Sequence, residues 1–335
     1  MNDKRQYVVI SPCRNEASYI RQTLESVVKQ SIPPTLWIIV DDGSTDETPK
    51  ILSDYASRFA FIKIVSRSDR GARRVGPGVI EAFYDGFRQI DIPYTFLCKL
   101  DMDLDLPLRY FERLIELMEL EPRLGTVSGK AFYHDNKTGN VVLEQIRDHV
   151  SLGMTKFYRR ECFDQIGGFV REVMWDGIDC HRARMFGWIA GSVDEPELRF
   201  EHLRPMGSSE QDIHRGRRRH GYGQYFMGTS LSFITASALS RITVQPRVIG
   251  SMMMWWGYFD AMLHRKPRYD DSEFIRFLRR WQWLSLFKGT KRATEQVTEE
   301  RKYIWNPPAS SNCPPPHFLP VEHQVNERIN GPANK

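Results

Sequence analysis

Two acidic clusters follow two apolar runs of this chain. Asp41-Asp42 comes after the run 36–40, and an Asp-x-Asp-x-Asp pattern at 101–105 comes after the run 94–98. Runs without polar alternation are typical of strands buried on both faces of a parallel sheet, and ligands bind at the carboxyl ends of such strands. We therefore expect both clusters to line one crevice.

The spacing of Asp101 and Asp103 suits a divalent cation. In an extended segment both carboxylates point to the same side, and two like charges so close need a cation between them. Mg²⁺ and Mn²⁺ take oxygen ligands and bind through one or two carboxylates together with substrate phosphates. Asp105 continues the alternation and is a third candidate ligand. His202 is a fourth, although it could instead bind phosphate or serve the structure alone.

Further polar groups at the predicted strand ends suit a nucleotide. Asp41 or Asp42 could accept hydrogen bonds from a base or a ribose, as the acidic residue of dinucleotide folds does. Asn15 and Glu16, after the first strand, offer the same polar contacts, although a glutamate there also suits a helix N-terminus.

The basic segment 67–74 leads into a predicted helix, whose N-terminal amides favour an anion such as a diphosphate. Gly71, Arg73 and Arg74 belong to this segment. For any one of these arginines, a solvated charge run is the other interpretation.

The periodicity of the first half predicts repeated βαβ units that would position these groups. We expect strands at 6–12, 36–42, 61–67 and 94–101, and helices at 19–30, 45–58, 75–89 and 107–121. Ser44 and Glu47 predict a capping box for the second helix. The pattern from 124 to 203 is less regular, with strands expected at 126–133 and 140–144 and a helix at 180–186.

Composition limits the class of protein. The chain has 335 residues, of which 41% are hydrophobic and 27% charged, and a net charge of +5. These values are ordinary for one large α/β domain with an appendage and exclude disorder for most of the chain. Basic residues concentrate in the second half, which indicates an anionic partner. Nucleic-acid-binding signatures are missing, so a phosphorylated small molecule or an anionic lipid surface is favoured over nucleic acid.

Four motifs of the chain, in this order, resemble the successive motifs of the family 2 glycosyltransferases. They are Pro12-Cys13-Arg14-Asn15-Glu16, Asp41-Asp42-Gly43-Ser44-Thr45-Asp46, Gly71-Ala72-Arg73-Arg74 and Asp101-Met102-Asp103. The resemblance implies a GT-A fold, in which a Rossmann-like domain with a mostly parallel central sheet binds a nucleotide sugar. It also implies that the first acidic pair holds the nucleotide and that the Asp-x-Asp pair holds the metal on the donor diphosphate.

The resemblance adds three residues to the nucleotide-sugar contacts: Pro12, Asp101 and Arg219. Arg219 belongs to a basic run that is similar to the C-terminal motif that family members close over the diphosphate. This run lacks the family's Gln-x-x-Arg-Trp sequence. A solvated or lipid-facing basic patch is therefore an equal interpretation.

The segment 175–182 is similar to the family's acidic motif in front of a helix. By register Asp176 corresponds to the catalytic base. The usual Glu-Asp-x-Asp stands here as Trp-Asp-x-Ile-Asp, so Asp179 is a second candidate. An inverting transfer needs a carboxylate that takes the proton of the acceptor hydroxyl as its oxygen attacks the anomeric carbon.

The segment 248–259, which contains Trp255 and Trp256, is apolar but only about half the length of a membrane span. It predicts either ordinary core or an anchor that lies on an anionic membrane surface between flanking basic clusters. After residue 288 the chain turns polar and then proline-rich, which predicts a tail with little structure.

Five cysteines without zinc or redox spacing, and a polar start that leads directly into a strand, predict a cytoplasmic protein. Peripheral attachment to the inner face of the membrane is compatible with this location. We expect a catalytic domain at 1–205, divided into a nucleotide-sugar half at 1–105 and an acceptor half at 106–205. A helical, basic and aromatic segment at 206–288 and a tail at 289–335 complete the expected organisation.

Together these features predict a metal-dependent inverting glycosyltransferase that uses Mg²⁺ or Mn²⁺. It would move a sugar from a nucleoside-diphosphate sugar to a hydroxyl of a glycan or lipid-linked acceptor. One alternative is a polyprenyl-phosphate sugar transferase, whose acceptor is already ionised and needs no base. Another is a catalytically silent protein that binds glycans or lipids.

Overall fold

A computed structural model describes residues 5–69, 71, 76–135, 139–144, 147–204, 213–242 and 247–307. Strands and helices alternate through the first part of the chain. These elements are β1 (Tyr7–Cys13), α1 (Ile20–Val28), β2 (Leu36–Asp41), α2 (Thr48–Arg58), β3 (Ile62–Ser66), α3 (Pro77–Phe87), β4 (Phe96–Leu100), β5 (Leu104–Asp105) and α4 (Tyr110–Leu120).

The second part begins with short strands and ends with helices alone. Its elements are β6 (Leu124–Ser128), β7 (Lys130–His134), β8 (Val141–Leu143), β9 (Thr155–Arg159), α5 (Arg160–Gln165), α6 (Trp175–Met185), β10 (Ile189–Ser192), β11 (Arg199–His202), α7 (Ile213–Phe226), α8 (Leu231–Ser240), α9 (Arg247–Leu263), α10 (Ser272–Lys288) and α11 (Thr290–Glu300).

Seven strands form the central sheet, in the order β10-β6-β9-β4-β1-β2-β3. Strand β9 runs antiparallel to both of its neighbours, while the other neighbouring pairs are parallel. Almost every residue of β1, β2 and β4 is buried, as expected for strands covered on both faces. The α/β fold with a mostly parallel sheet is therefore confirmed.

The order of the strands reverses at β1. The chain adds β2 and β3 on one side of β1 and then places β4 on the other side. Such a switch point opens a crevice at the carboxyl ends of the strands. Asp41, which ends β2, and Asp101, which follows β4, therefore flank the end of β1.

A second, four-stranded sheet has the order β5-β11-β7-β8. Its strand β11 runs antiparallel to β5, with Glu201 opposite Asp105 and His202 opposite Leu104. This pairing brings His202 next to the Asp-x-Asp segment. The predicted strand 126–133 is divided at Gly129 between the two sheets, because a Cβ there would lie 1.8 Å from the carbonyl oxygen of Leu198.

The predicted capping box of Ser44 and Glu47 is wrong. Helix α2 begins at Thr48, whose N–H donates to Asp46 Oδ1 at 2.9 Å. Ser44 Oγ accepts instead from the N–H of Asn15 at 2.9 Å. The serine therefore connects two strand-end loops, because another carboxylate already caps the helix.

The prediction of little structure after residue 288 is wrong for residues 290–304. Helix α11 buries Ala293 and Val297 in a cluster shared with α10. Arg123 Nη2 donates to the carbonyl oxygen of Thr298 at 2.9 Å, which ties α11 to the loop before β6. Two apolar residues one turn apart are enough to dock an otherwise polar helix. The average polarity of the segment does not show this spacing. Residues 308–335 lie outside the described residues.

Within the described ranges, no helix combines the length and the apolar character needed to cross a membrane.

Candidate active site

The loops after β1 and β2 hold each other through Asn15. This residue has a left-handed backbone, with φ 53°. Its Oδ1 accepts from the N–H of Thr45 at 2.8 Å, and its own N–H donates to Ser44 Oγ. Pro12 lies opposite Val40 in the pairing of β1 with β2. Both candidate nucleotide contacts therefore belong to one rigid wall of the crevice.

The carboxylates of Asp41 and Asp42 are almost completely buried. Asp41 Oδ1 accepts from the N–H of Ser44 at 3.0 Å, which closes the turn around Gly43. Asp42 Oδ1 pairs with Arg67 Nη1 at 2.8 Å. Both side chains thus hold the loops around the crevice, and their backbone lies at its floor.

The loop after β3 crosses this Asp-Gly turn. A Cβ at Gly43, which has φ +72°, would lie 2.5 Å from the Cα of Asp69. Asp69 Oδ1 accepts from Arg14 Nη2 at 2.7 Å and from the N–H of Gly71 at 2.9 Å. Gly71 is therefore connected through Asp69 to the turn that follows β2. Arg73 and Arg74 lie outside the described residues.

Asp101 is held by a lysine from the preceding strand. The buried Lys99 ammonium pairs with Asp101 and donates to the carbonyl oxygen of Gly153 at 2.8 Å. Desolvation raises the pKa of Asp101, and the charge of Lys99 opposes that shift. Lys99 thus connects the first aspartate of the Asp-x-Asp motif to residue 153.

Asp103 is surrounded by positive charge. Its Oδ2 lies 2.6 Å from Arg204 Nη2 and 3.6 Å from His202 Nε2. Burial opposes ionisation of Asp103, but the neighbouring His202 ring and the charge of Arg204 outweigh it and lower its pKa. Arg204 also reaches Glu16 Oε1 at 3.2 Å, so it joins the β1 loop to the metal-site candidates.

His202 is oriented by Glu144, whose Oε1 lies 2.8 Å from His202 Nδ1. Burial alone would lower the pKa of His202, but the carboxylates of Asp103 and Glu144 raise it to about 9. Because Nδ1 contacts Glu144, the ring nitrogen that faces Asp103 is Nε2.

The donor set around Asp103 fits a hard divalent cation. Glu144, His202 and the cation would form the carboxylate–histidine–metal arrangement common in metalloproteins. Among the described residues, no group of three or more His, Cys, Asp and Glu side chains is arranged as a metal cluster. Two or three protein donors are nevertheless sufficient for Mg²⁺ or Mn²⁺ when substrate phosphates complete the coordination.

The structure does not place Asp105 beside these donors. The chain bends at Met102 and Asp103 instead of continuing as an extended segment, because Met102 is buried in the core. Asp105 Oδ2 therefore turns to α1, where it accepts from Gln22 Nε2 at 2.8 Å. The expectation that the three carboxylates alternate along one extended segment is wrong.

The two candidate bases differ in their surroundings. Asp179 is 1% exposed, and its Oδ2 pairs with Lys156 and accepts from the hydroxyl of Tyr158. Its Oδ1 accepts from the N–H of Cys180 at 2.6 Å. Asp179 therefore belongs to the interface between α6 and β9, where an acceptor hydroxyl has no access.

Asp176 lies in the first turn of α6 and stays partly exposed. A Cβ at Gly153 would lie 3.1 Å from its Oδ2. Desolvation raises the pKa of Asp176, and the nearby Lys156 charge opposes the shift. Asp176 and Asp101 are thus both neighbours of Gly153, since Lys99 connects the carbonyl oxygen of that glycine to Asp101.

Arg219 lies on α7, four residues before Gly223 and hence on the same helix face. A Cβ at Gly223 would lie 2.5 Å from the Cγ of Met174, the residue in front of α6. The face that carries Arg219 thus packs beside the start of the candidate base helix.

Sequence reasoning missed Lys99, Glu144 and Lys156. A lysine inside the apolar run of β4 is a signal in itself, because lysines are almost never fully buried unless paired. Glu144 gives no such signal, since its role depends on the pairing of two distant strands.

Comparisons with known proteins agree with this architecture. The family described as Glycosyl transferase family 2 matches residues 8–175. The poly-beta-1,6-N-acetyl-D-glucosamine synthase of Staphylococcus epidermidis is 29% identical over 119 residues, which is 35% of this chain and 26% of that protein. The synthase of the same name from Staphylococcus aureus is 29% identical over 118 residues, with the same two coverages. This chain therefore spans only about a quarter of these relatives.

Among solved structures, that of GalNAc-T7 with UDP, GalNAc and Mn²⁺ resembles this fold with a TM-score of 0.55. The sequence identity is 13%, and the match covers 92% of this chain and 59% of the other. At this identity the likeness concerns the fold alone.

Proposed function

Because this chain belongs to glycosyl transferase family 2, we propose that it transfers a sugar from a nucleoside-diphosphate sugar to a hydroxyl group with inversion at the anomeric carbon. The acceptor in this proposal is a glycan or a lipid-linked sugar. The observation that carries it is that Asp101 and Asp176 are both neighbours of Gly153, Asp101 through Lys99 and Asp176 by direct approach. A donor diphosphate at Asp101 would place its sugar next to the carboxylate that must activate the acceptor.

Asp176 acts as the base in this reaction. The acceptor hydroxyl gives its proton to the carboxylate while its oxygen attacks the anomeric carbon and the bond to the diphosphate breaks. A raised pKa makes the carboxylate a stronger base towards an alcohol. Lys156 Nζ donates to the backbone oxygen of Asp176 at 2.9 Å and so holds the first turn of α6 in place.

The donor is held between the β1 and β2 loops and the charges around Asp103. In this proposal the nucleoside lies against the loops that Asn15, Asp41 and Asp42 hold in place, and Arg204 lies close to the diphosphate. Asp101 and Asp103 would hold Mg²⁺ or Mn²⁺ together with phosphate oxygens of the donor, with His202 beside them, and the metal would stabilise the charge of the departing nucleoside diphosphate. The Mn²⁺ bound to GalNAc-T7, which shares the fold, supports this assignment.

For location, we place the reaction in the cytoplasm, at the inner face of the membrane. The buried thiols of Cys98, Cys162 and Cys180 suit a reducing compartment.

The test is release of free nucleoside diphosphate from a panel of UDP-, GDP- and dTDP-sugars, with Mn²⁺ or with EDTA. We expect release from one donor only when metal is present, and a loss of at least about a hundredfold in Asp103→Asn. Asp194→Asn is the matched control, because it removes the same charge from an exposed carboxylate that pairs with Arg199. If no donor of the panel releases nucleoside diphosphate and calorimetry shows no nucleotide binding, a catalytically silent binding protein would be favoured.

A further inference from the structure

Helix α9 turns an apolar stripe outwards. Val248, Met252, Trp255 and Leu263 recur at helical spacing along one side, and Met252 and Leu263 are 63% and 70% exposed. Trp256 widens the stripe at its centre. The alternative that the Trp255-Trp256 pair is ordinary core is therefore wrong.

The orientation of this stripe is fixed by two glycines, Gly257 on the opposite side of α9 and Gly221 on the neighbouring helix α7. A Cβ at Gly257 would lie 2.1 Å from the carbonyl oxygen of Arg218, and one at Gly221 would lie 1.9 Å from that of Met254. Helices α7 and α9 are thus in backbone contact. The exposed stripe cannot turn inwards without breaking that contact.

Helix α8 extends the apolar area. Trp255 Nε1 donates to Thr235 Oγ1 at 3.4 Å, and Leu231 and Leu239 lie one turn on either side of this threonine. Both leucines are exposed. We call the combined surface the α8–α9 apolar face, defined by Leu239, Val248, Met252, Trp255, Trp256 and Leu263.

Positive charge is concentrated in the part of the chain that forms this face and stands at both ends of the α9 stripe. Residues 247–292 contain ten Lys and Arg but four Asp and Glu, so their net charge of +6 exceeds the +5 of the whole chain. Arg247 stands at one end of the stripe, and Arg265 and Lys266 stand at the other. An apolar stripe with cations at both ends complements a lipid surface with anionic headgroups.

We propose that the α8–α9 apolar face seats this protein on an anionic lipid surface, with α9 parallel to the membrane. Aromatic and aliphatic side chains would enter the headgroup region, and the basic residues would contact lipid phosphates. A second copy of the chain is a poorer occupant. Two-fold pairing of α9 across this face brings Arg247 of each copy towards Arg265 of the other, which places like charges together.

Helix α7 connects the α8–α9 apolar face to the candidate active site. The same helix that contacts α9 at Gly221 contacts Met174, in front of α6, at Gly223. A membrane below α9 would therefore hold the site at a fixed height for a lipid-linked acceptor. The lipid-linked acceptor rests on the proposed function. Membrane binding by the α8–α9 apolar face does not, because binding to vesicles requires no turnover.

The experiment is sedimentation of the full chain with vesicles of phosphatidylcholine, with and without phosphatidylglycerol. We expect binding to the anionic vesicles, which weakens as salt rises because charges at a surface are screened. Met252→Glu and Leu263→Glu should each weaken the partition at least about tenfold, because a carboxylate would have to enter the headgroup region. Both side chains are exposed, so both variants should fold.

The matched control is Leu120→Glu. Leu120 is a strongly exposed leucine of α4 and does not belong to the α8–α9 apolar face. This variant should bind vesicles like the wild type. Absence of binding to phosphatidylglycerol vesicles, or equal binding by Met252→Glu, would overturn the proposal. A dimer that Met252→Glu converts to a monomer in light scattering, without vesicle binding, would assign the face to a second copy instead.

Discussion

Lys99 and Lys156 lie directly opposite each other in the antiparallel pairing of β4 and β9. Both side chains are buried, and like charges placed opposite each other destabilise a sheet. Each lysine therefore has its own carboxylate, Asp101 for Lys99 and Asp179 for Lys156. Both ammonium nitrogens lie over the ring of Trp175, at 5.4 and 5.7 Å. The donor end of the site and the candidate base helix thus share one charged framework.

The first prediction concerns the buried pair of Lys156 and Asp179. Lys156→Met should lower the free energy of unfolding by about 3–5 kcal/mol, because it leaves a buried carboxylate without its cation. The double variant Lys156→Met/Asp179→Leu should lose less of the free energy of unfolding than Lys156→Met or Asp179→Leu alone, since no unpaired buried charge remains. Urea unfolding measures all three.

Lys50→Met is the control, because Lys50 pairs with Glu47 at an exposed site. It should change the free energy of unfolding by less than about 1 kcal/mol. Additive losses in the double variant would show that the two buried charges do not depend on each other.

The second prediction separates the two candidate bases. Asp176→Asn should lower kcat by at least about a hundredfold, because the acceptor hydroxyl loses its proton acceptor. The free energy of unfolding should hardly change, since Asp176 stays partly exposed. Asp179→Asn should instead destabilise the fold, because Lys156 loses its partner.

Both variants would be measured by turnover and by urea unfolding side by side. Full activity of Asp176→Asn towards a lipid phosphate, an acceptor that is already ionised, would contradict the assigned base. It would favour transfer to a polyprenyl phosphate.

The placement of Asp41 and Asp101 at strand ends on the same edge of the sheet could be predicted from the sequence. Each follows an apolar run without alternation, and such runs form buried parallel strands whose carboxyl ends meet at one edge. The same pattern predicts the first four strands along the chain, whereas the placement of β4 on the other side of β1 is seen only in the structure. Periodicity therefore predicts the donor half of the crevice.

The contact between Glu144 and His202 could not be predicted in this way. The two residues are 58 positions apart, and they meet only because β7 pairs with both β8 and β11 in a second sheet. The bend at Met102 is equally hidden, since a buried methionine in a short loop has no periodicity. Partners fixed by strand register, such as Lys99 and Lys156, need the sheet itself.

The third prediction concerns pH. Burial raises the pKa of Asp176, the Lys156 and Lys99 charges oppose the shift, and Asp179 adds to it. A base works as the carboxylate, so kcat should rise with pH through an inflection above the ordinary value of 3.8 and then level off.

Asp164→Asn is the control for this profile, because burial also raises the pKa of Asp164, which lies at α5 away from the crevice. Its profile should match that of the wild type. The residual rate of Asp176→Asn should lack the acidic limb, and a limb that persists in this variant would assign the inflection to another group.

The last prediction compares two glycines near Asp176, Gly153, which approaches its carboxylate in space, and Gly177, which follows it in the chain. In Gly153→Ala the new Cβ would lie 3.1 Å from Asp176 Oδ2 and 3.3 Å from Trp175 Cη2, so the carboxylate must move by a few tenths of an ångström. We expect kcat to fall about tenfold while the KM for the donor is kept, because catalysis depends on alignment more strongly than binding does.

Gly177→Ala is the matched substitution, because its Cβ would meet only Met174 Cε at 3.8 Å and Met227 Sδ at 3.9 Å, which are ordinary contacts. It should keep kcat and raise the free energy of unfolding by up to about 1 kcal/mol, since alanine favours the helix. Steady-state kinetics and urea unfolding of both variants provide the measurement. Equal kcat values for the two variants would mean that Gly153 does not position Asp176.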